Sequence, residues 1–155
     1  IQGIKILVEN AVELIKQGKT RQEIVEEIEK IKGNIVIEFV PPSLEPLKRG
    51  GRIGKMSALL GSVLKIKPII RFKDNVLTCA KKVIGFPKAI ASMVANIPET
   101  CKKLYLIYVH SKEYLKPLKD ALTKKFSHLN LVEENISSTV GIHVGVGCVG
   151  VTYQI

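Results

Sequence analysis

The sequence predicts an α+β fold, an α/β sandwich in which a mixed, partly antiparallel sheet is flanked by helices. Three observations carry that expectation. Apolar residues at helical spacing open the chain. Short β-rich runs follow, separated by both hairpin-length and crossover-length connections. A chain of 155 residues, 46% hydrophobic and 25% charged, suits one domain with a sizeable core. Residues 1–155 are accordingly read as a single domain, with residues 1–33 as a leading helix pair.

Ile4, Leu7, Val8, Ala11, Leu14 and Ile15 recur at the spacing of one helix face, and Gly18 ends that helix. Thr20 with Glu23 three residues later forms a capping box for a second helix. Its apolar face is Ile24, Val25, Ile28 and Ile31, and Gly33 stops it. "NIVIEFV" (34–40) reads as a strand broken by Pro41-Pro42, after which Ser43 is placed to cap a short helix through Leu47. Gly50-Gly51 permits positive φ or a close backbone approach. Met56 to Leu64 reads as a helix with Gly61 inside it. "KPIIRF" and "VLTCAKKV" read as strands joined by a hairpin turn at Asp74-Asn75.

Pro87 suits the first turn of a helix from Phe86 to Ile97. "KLYLIYVH" is a buried strand, Ser111 is placed to cap a helix running to Phe126, and "LNLVEENI" is another strand. A glycine-rich stretch, "STVGIHVGVGCVG" (138–150), precedes a final strand, "GVTYQI".

Composition excludes several classes. No run of apolar residues is long enough to span a bilayer, and Lys5, Glu9 and Glu13 interrupt the N-terminal apolar stretch, so it does not read as a signal peptide. Cys79, Cys101 and Cys148 are odd in number and widely spaced, which suits reduced thiols and a cytoplasmic location. No metal and no cofactor is expected, and no set of nucleophile, base and orienting group is visible. Enzyme chemistry is therefore not supported by the residues themselves. It opens at Ile1, not Met, and is expected to be processed, truncated or partial.

The net charge of +10 is concentrated. Between Lys48 and Lys73 lie eight basic residues and no acid, a candidate surface for anions. Aromatic residues are scarce and Trp is absent, so nucleic acid is an unlikely partner on stacking grounds.

His143 is the leading candidate site residue. An imidazole among small apolar neighbours can donate to a carboxylate or phosphate, and Gly141, Gly145 and Gly147 allow the backbone close to a ligand. Arg52, in "GGRIG", can clamp an anion bidentately. "GVGCVG" fails as a dinucleotide fingerprint because no helix and acidic residue follow it.

Two separated motifs in register resemble those of the DegV family of fatty-acid-binding proteins. "GGRIGKMSALLGSVLKIKPI" is similar to the family's "GGRI" turn with its "LLGxLLxIKPI" unit, and "GIHVGVGCVG" is similar to its "GTHTGPGALG" segment. The match covers the whole chain as the C-terminal part of such a protein, without its N-terminal domain. The resemblance implies that His143 and Arg52 hold the carboxylate of a long-chain fatty acid, with the acyl chain in an apolar tunnel. It also implies a carrier that presents the acid to a separate ATP-dependent fatty acid kinase for acyl-phosphate formation. Two hydroxyls and a proline of the family motif are replaced here by Ile142, Val144 and Val146. The arginine that commonly follows "KV" in the family is replaced by Ile84. A half-pocket with an open apolar wall could form a homo-oligomer. The alternatives are an anion- or nucleic-acid-binding surface at 48–73 and, by a distant likeness, a dihydroxyacetone-kinase-like phosphotransfer subunit.

Overall fold

The computed structural model describes residues 2–59, 65–73 and 76–155. The described elements are α1 (Gln2–Lys16), α2 (Arg21–Gly33), β1 (Ile35–Val40), α3 (Glu45–Arg49), a 3-10 turn (Gly54–Leu59), β2 (Ile66–Lys73) and β3 (Val76–Ile84). They continue with α4 (Phe86–Asn96), β4 (Lys103–Tyr108), α5 (Leu115–Lys125), β5 (Val132–Asn135), α6 (Ser138–Val144) and β6 (Val149–Gln154). The six strands form one sheet in the order β3-β2-β1-β6-β4-β5. Every neighbouring pair is antiparallel except β4 and β5, which run parallel through the α5 crossover. The expected mixed, partly antiparallel sheet flanked by helices is the observed one.

Period-two alternation sorts the side chains onto two faces. Val36 and Val40 of β1, Leu104 and Leu106 of β4, and Val149, Val151 and Tyr153 of β6 pack with α4 and α5 in the larger core. Phe86 stacks on Tyr114 there, with ring centroids 3.8 Å apart. Glu38 shares this face by alternation and is fully buried, held by Arg71, whose Nε donates to Oε1 at 2.7 Å. The opposite face carries a smaller cluster around Phe39, Leu47, Ile70, Val109, Val144 and Cys148, beneath α3 and α6.

The capping box forms as read, with the Thr20 amide donating to Glu23 Oε2 at 2.8 Å. That amide, with Lys19 and the Thr20 hydroxyl, pulls the Glu23 carboxyl down to about 2. Other local expectations are corrected. α1 turns Gln2, Ile6 and Asn10 toward the sheet and leaves Ile4, Val8 and Ile15 exposed, so the predicted stripe is not the buried face. Polar anchors decide this. Asn10 Nδ2 donates to Gln154 Oε1 at 2.9 Å, Lys103 pairs with Glu13 at 2.9 Å, and the Tyr105 hydroxyl donates to Glu9. Ser43 and Ser111 cap no helix. Their hydroxyls accept from Glu45 and Glu113 two residues on, in local turns, and the helices start at Glu45 and Leu115. The predicted helix from Met56 is a 3-10 turn as far as Leu59; its remainder, like the Asp74-Asn75 turn, lies outside the described residues.

Candidate functional site

The glycine-rich stretch is a short helix followed by a two-glycine turn. α6 ends at Val144, and Gly145 (φ 88°) and Gly147 (φ 87°) take left-handed conformations that favour glycine. The Gly147 amide then donates to the Val109 carbonyl at 2.9 Å, and the chain enters β6. This places His143 in the last turn of α6, facing the loop after α3. A Cβ built on Gly50 would lie 2.1 Å from His143 Nδ1. Gly50 itself has an ordinary helical φ of −79°, so it is the close approach of the imidazole that calls for glycine there. Its neighbour Gly51 takes φ 68°. The two glycines of "GGRI" thus serve one for contact and one for backbone geometry.

Beside His143 opens a cavity of about 270 Å³ on the α1/α3/α6 face of the sheet. Its walls are mostly apolar: Ile37 and Phe39 from β1, Phe72 and Leu77 from the β2–β3 pair, Ile107 from β4, and Val140 and Val144 from α6. Four residues that line it carry strong hydrogen-bonding groups: His143, Arg52, Gln2 and Thr152. The size approaches that of small-molecule sites, and an apolar lining with a few placed polar groups is their usual character.

The polar atoms are under-used. His143 Nδ1 and Thr152 Oγ1 are buried without a hydrogen-bond partner. Arg52 Nη1 donates to the Gly50 carbonyl at 2.7 Å, which fixes the guanidinium beside the turn. No carboxylate among the described residues pairs with Arg52. A guanidinium offers five N–H donors, so several stay available for an anion. Cys148, on the same wall, is buried and its thiol is pushed well up by desolvation, so it stays neutral.

Of the residues singled out in the sequence, His143 and Arg52 meet at the cavity. Gly141, Gly145 and Gly147 do not line it. A Cβ on Gly141 would meet Val109, and one on Gly145 would meet Pro46 at 3.0 Å, so these glycines set the packing behind the site. Ile142 and Val146, which replace polar or rigid residues of the resembled motif, are exposed. Gln2 and Thr152 were not singled out. Thr152 had a signal in the alternation of "GVTYQI", where Gly150, Thr152 and Gln154 share the face away from the apolar Val151 and Tyr153. Gln2 had none, because only the tertiary fold carries the start of α1 over β1. Among the described residues no group of three His, Cys, Asp or Glu could hold a metal ion, and no helix is long and apolar enough to cross a membrane.

The sequence model for a family described as "Uncharacterised protein, DegV family" matches residues 1–155. Protein DegV of Bacillus subtilis is 30% identical over 149 residues, 92% of this chain and 53% of that protein. A DegV domain-containing protein of Clostridium perfringens is 34% identical over 136 residues, 82% of this chain and 48% of its own length. Among solved structures, a DegV family protein from Thermus thermophilus described as fatty-acid binding superposes with a TM-score of 0.85 at 26% identity. It covers 98% of this chain and 56% of that one. DegV from Bacillus subtilis, described as a fatty acid binding protein, gives 0.80 at 25% identity, over 99% of this chain and 56% of that one. The chain spans about half the length of the curated relatives it matches.

Proposed function

The chain belongs to the DegV family, and from that membership we propose that it binds one long-chain fatty acid on the open face of its sheet. The observation that carries this reading is the cavity itself: a mostly apolar hollow lined by His143, whose Nδ1 has no partner, and by Arg52, which pairs with no carboxylate among the described residues. A carboxylate suits both groups, as an anion for the guanidinium and an acceptor for the imidazole N–H. The apolar walls suit the acyl chain. Burying about fourteen methylenes at ~0.8 kcal/mol each gives about 11 kcal/mol before entropy losses, so the chain supplies affinity and the polar end supplies orientation.

On this reading the protein is a carrier, not a catalyst. It holds the acid so that a separate ATP-dependent fatty acid kinase can phosphorylate the carboxylate in the cytoplasm. We place the chain as the C-terminal half of a longer protein, with the remaining carboxylate contacts coming from the other half. Related proteins described as fatty-acid binding support the ligand class.

The test is mass spectrometry of a solvent extract from the purified full-length protein, wild type and His143→Ala. The expected result is one fatty acid per wild-type chain and a large loss from the variant. Retention of stoichiometric acid in His143→Ala would remove His143 from the head-group role. Absence of any acid from the wild type would overturn the carrier reading.

A further inference from the structure

The cavity wall carries a further polar group that a plain fatty acid leaves idle. Thr152 is 1% exposed and lines the cavity, yet its Oγ1 has no hydrogen-bond partner. Buried hydroxyls are normally satisfied, so an orphan one in the wall of a hollow calls for an occupant. Thr152 lies opposite Ile37 on β1 and Tyr105 on β4, in the middle of the sheet. Gln2, 5% exposed, lines the same cavity. Next to it, a Cβ on Gly3 would sit 3.7 Å from the Ile37 side chain, so the start of α1 roofs this stretch of β1. The head-group end is elsewhere. His143 belongs to α6, before the two-glycine turn, while Thr152 lies within β6 four residues beyond Cys148, about 13 Å along an extended chain at roughly 3.3 Å per residue.

We propose that Thr152 Oγ1 recognises a hydrogen-bonding substituent, a hydroxyl or an oxo group, carried on the acyl chain far from its carboxylate. This deepens the fatty-acid reading and rests on it. The threonine hydroxyl can donate to an oxo oxygen or exchange a hydrogen bond with an alcohol, so either substituent fits one side chain. Ordered water is a poorer occupant, because it needs two to four polar partners and the cavity's walls are mostly apolar. The ligand class is therefore an oxygenated long-chain acid, selected by one buried side chain.

The test is competition binding of octadecanoate against a positional series of monohydroxyoctadecanoates, with the cis-monounsaturated acid as a shape control. It uses the full-length protein as wild type, Thr152→Val and Thr152→Ser, each checked by thermal unfolding. The expected result is that one hydroxy isomer binds wild type about tenfold more tightly than octadecanoate. Thr152→Val should abolish that preference, and Thr152→Ser should keep it. Equal binding of octadecanoate and every isomer would overturn the proposal while leaving the fatty-acid reading intact. So would a hydroxyl preference that survives in Thr152→Val, or a stronger preference for the unsaturated acid. No binding of any acid by wild type would overturn the fatty-acid reading itself and this proposal with it.

Discussion

Gly50→Ala perturbs one contact without straining the backbone. The added methyl would lie 2.1 Å from His143 Nδ1 and 3.0 Å from Cε1, with the Pro46 carbonyl oxygen at 3.2 Å behind it. Ordinary contact begins near 3.5 Å, so the imidazole has to retreat by about 1.4 Å. The cavity is the open space beside the ring, so the ring swings into it and blocks the carboxylate position. Overpacking of this kind costs about 1–3 kcal/mol, and the room to move puts the cost near the lower figure. At about 2–4 °C per kcal/mol for a chain of this size, Tm should fall by a few degrees. Fatty-acid affinity should fall about tenfold, since one lost head-group hydrogen bond is worth about 1.4 kcal/mol. Gly51→Ala is the control. Its φ of 68° makes alanine cost about 1–2 kcal/mol, but no atom lies within 4 Å of the new methyl. It should lower Tm by a similar amount and leave affinity unchanged. A double-mutant cycle with His143→Ala completes the assay. Once the imidazole is gone, Gly50→Ala should cost much less, because only the 3.2 Å contact with the Pro46 carbonyl remains. Strictly additive costs in the cycle, or equal affinity losses in Gly50→Ala and Gly51→Ala, would refute the assignment of the glycine to the imidazole.

Three further outcomes follow from the structure. Arg71→Met strands the fully buried Glu38 carboxylate and should cost about 3–5 kcal/mol in chemical denaturation, with the Glu38→Leu/Arg71→Met double variant recovering much of the loss. Gly150→Ala drives a methyl to 2.3 Å from the Glu38 carbonyl oxygen, where β1 and β6 cross-pair, and should abolish cooperative unfolding or yield insoluble protein. Burial, and then the Glu38 carboxylate, push the Tyr153 phenol up to about 12 from 10. Since the folded value is the raised one, the associated stability is fully present below pH 10 and lost as pH rises through 12. That amounts to about 2–3 kcal/mol, and Tyr153→Phe should flatten the alkaline limb of the unfolding profile.

Much of the architecture was legible because local signals agreed. The Thr20–Glu23 box, the Pro87 helix start and the antiparallel β2–β3 pair all appear where residue chemistry places them. α1 was misread because helical periodicity locates a stripe but not its partner. Its buried side is chosen by Asn10, Glu9 and Glu13 finding Gln154, Tyr105 and Lys103, residues 90 or more positions away. His143 and Arg52 were legible as unusual residues in glycine-rich settings. Their meeting was not, since it depends on α3 and α6 packing together across a gap that only Gly50 leaves open. Gln2 escaped notice for a related reason: it is unremarkable in its own segment and joins the cavity wall only through the tertiary fold.

The place of β6 in the sheet has a consequence for how the molecule is made. β6 lies between β1 and β4, pairing Val36 with Tyr153 and Leu104 with Tyr153, yet it follows β1 by about a hundred residues. Until that segment emerges, the nascent chain holds β3-β2-β1 on one side and β4-β5 on the other, each with an open edge and bare apolar faces. Non-local pairing of this kind is slow, and such edges are prone to associate. The insertion that joins the halves also delivers Thr152 and draws α6 with His143 into place. The cavity therefore comes into being in the same step that covers the open edges of β1 and β4, and a ligand held there would act as a folding ligand.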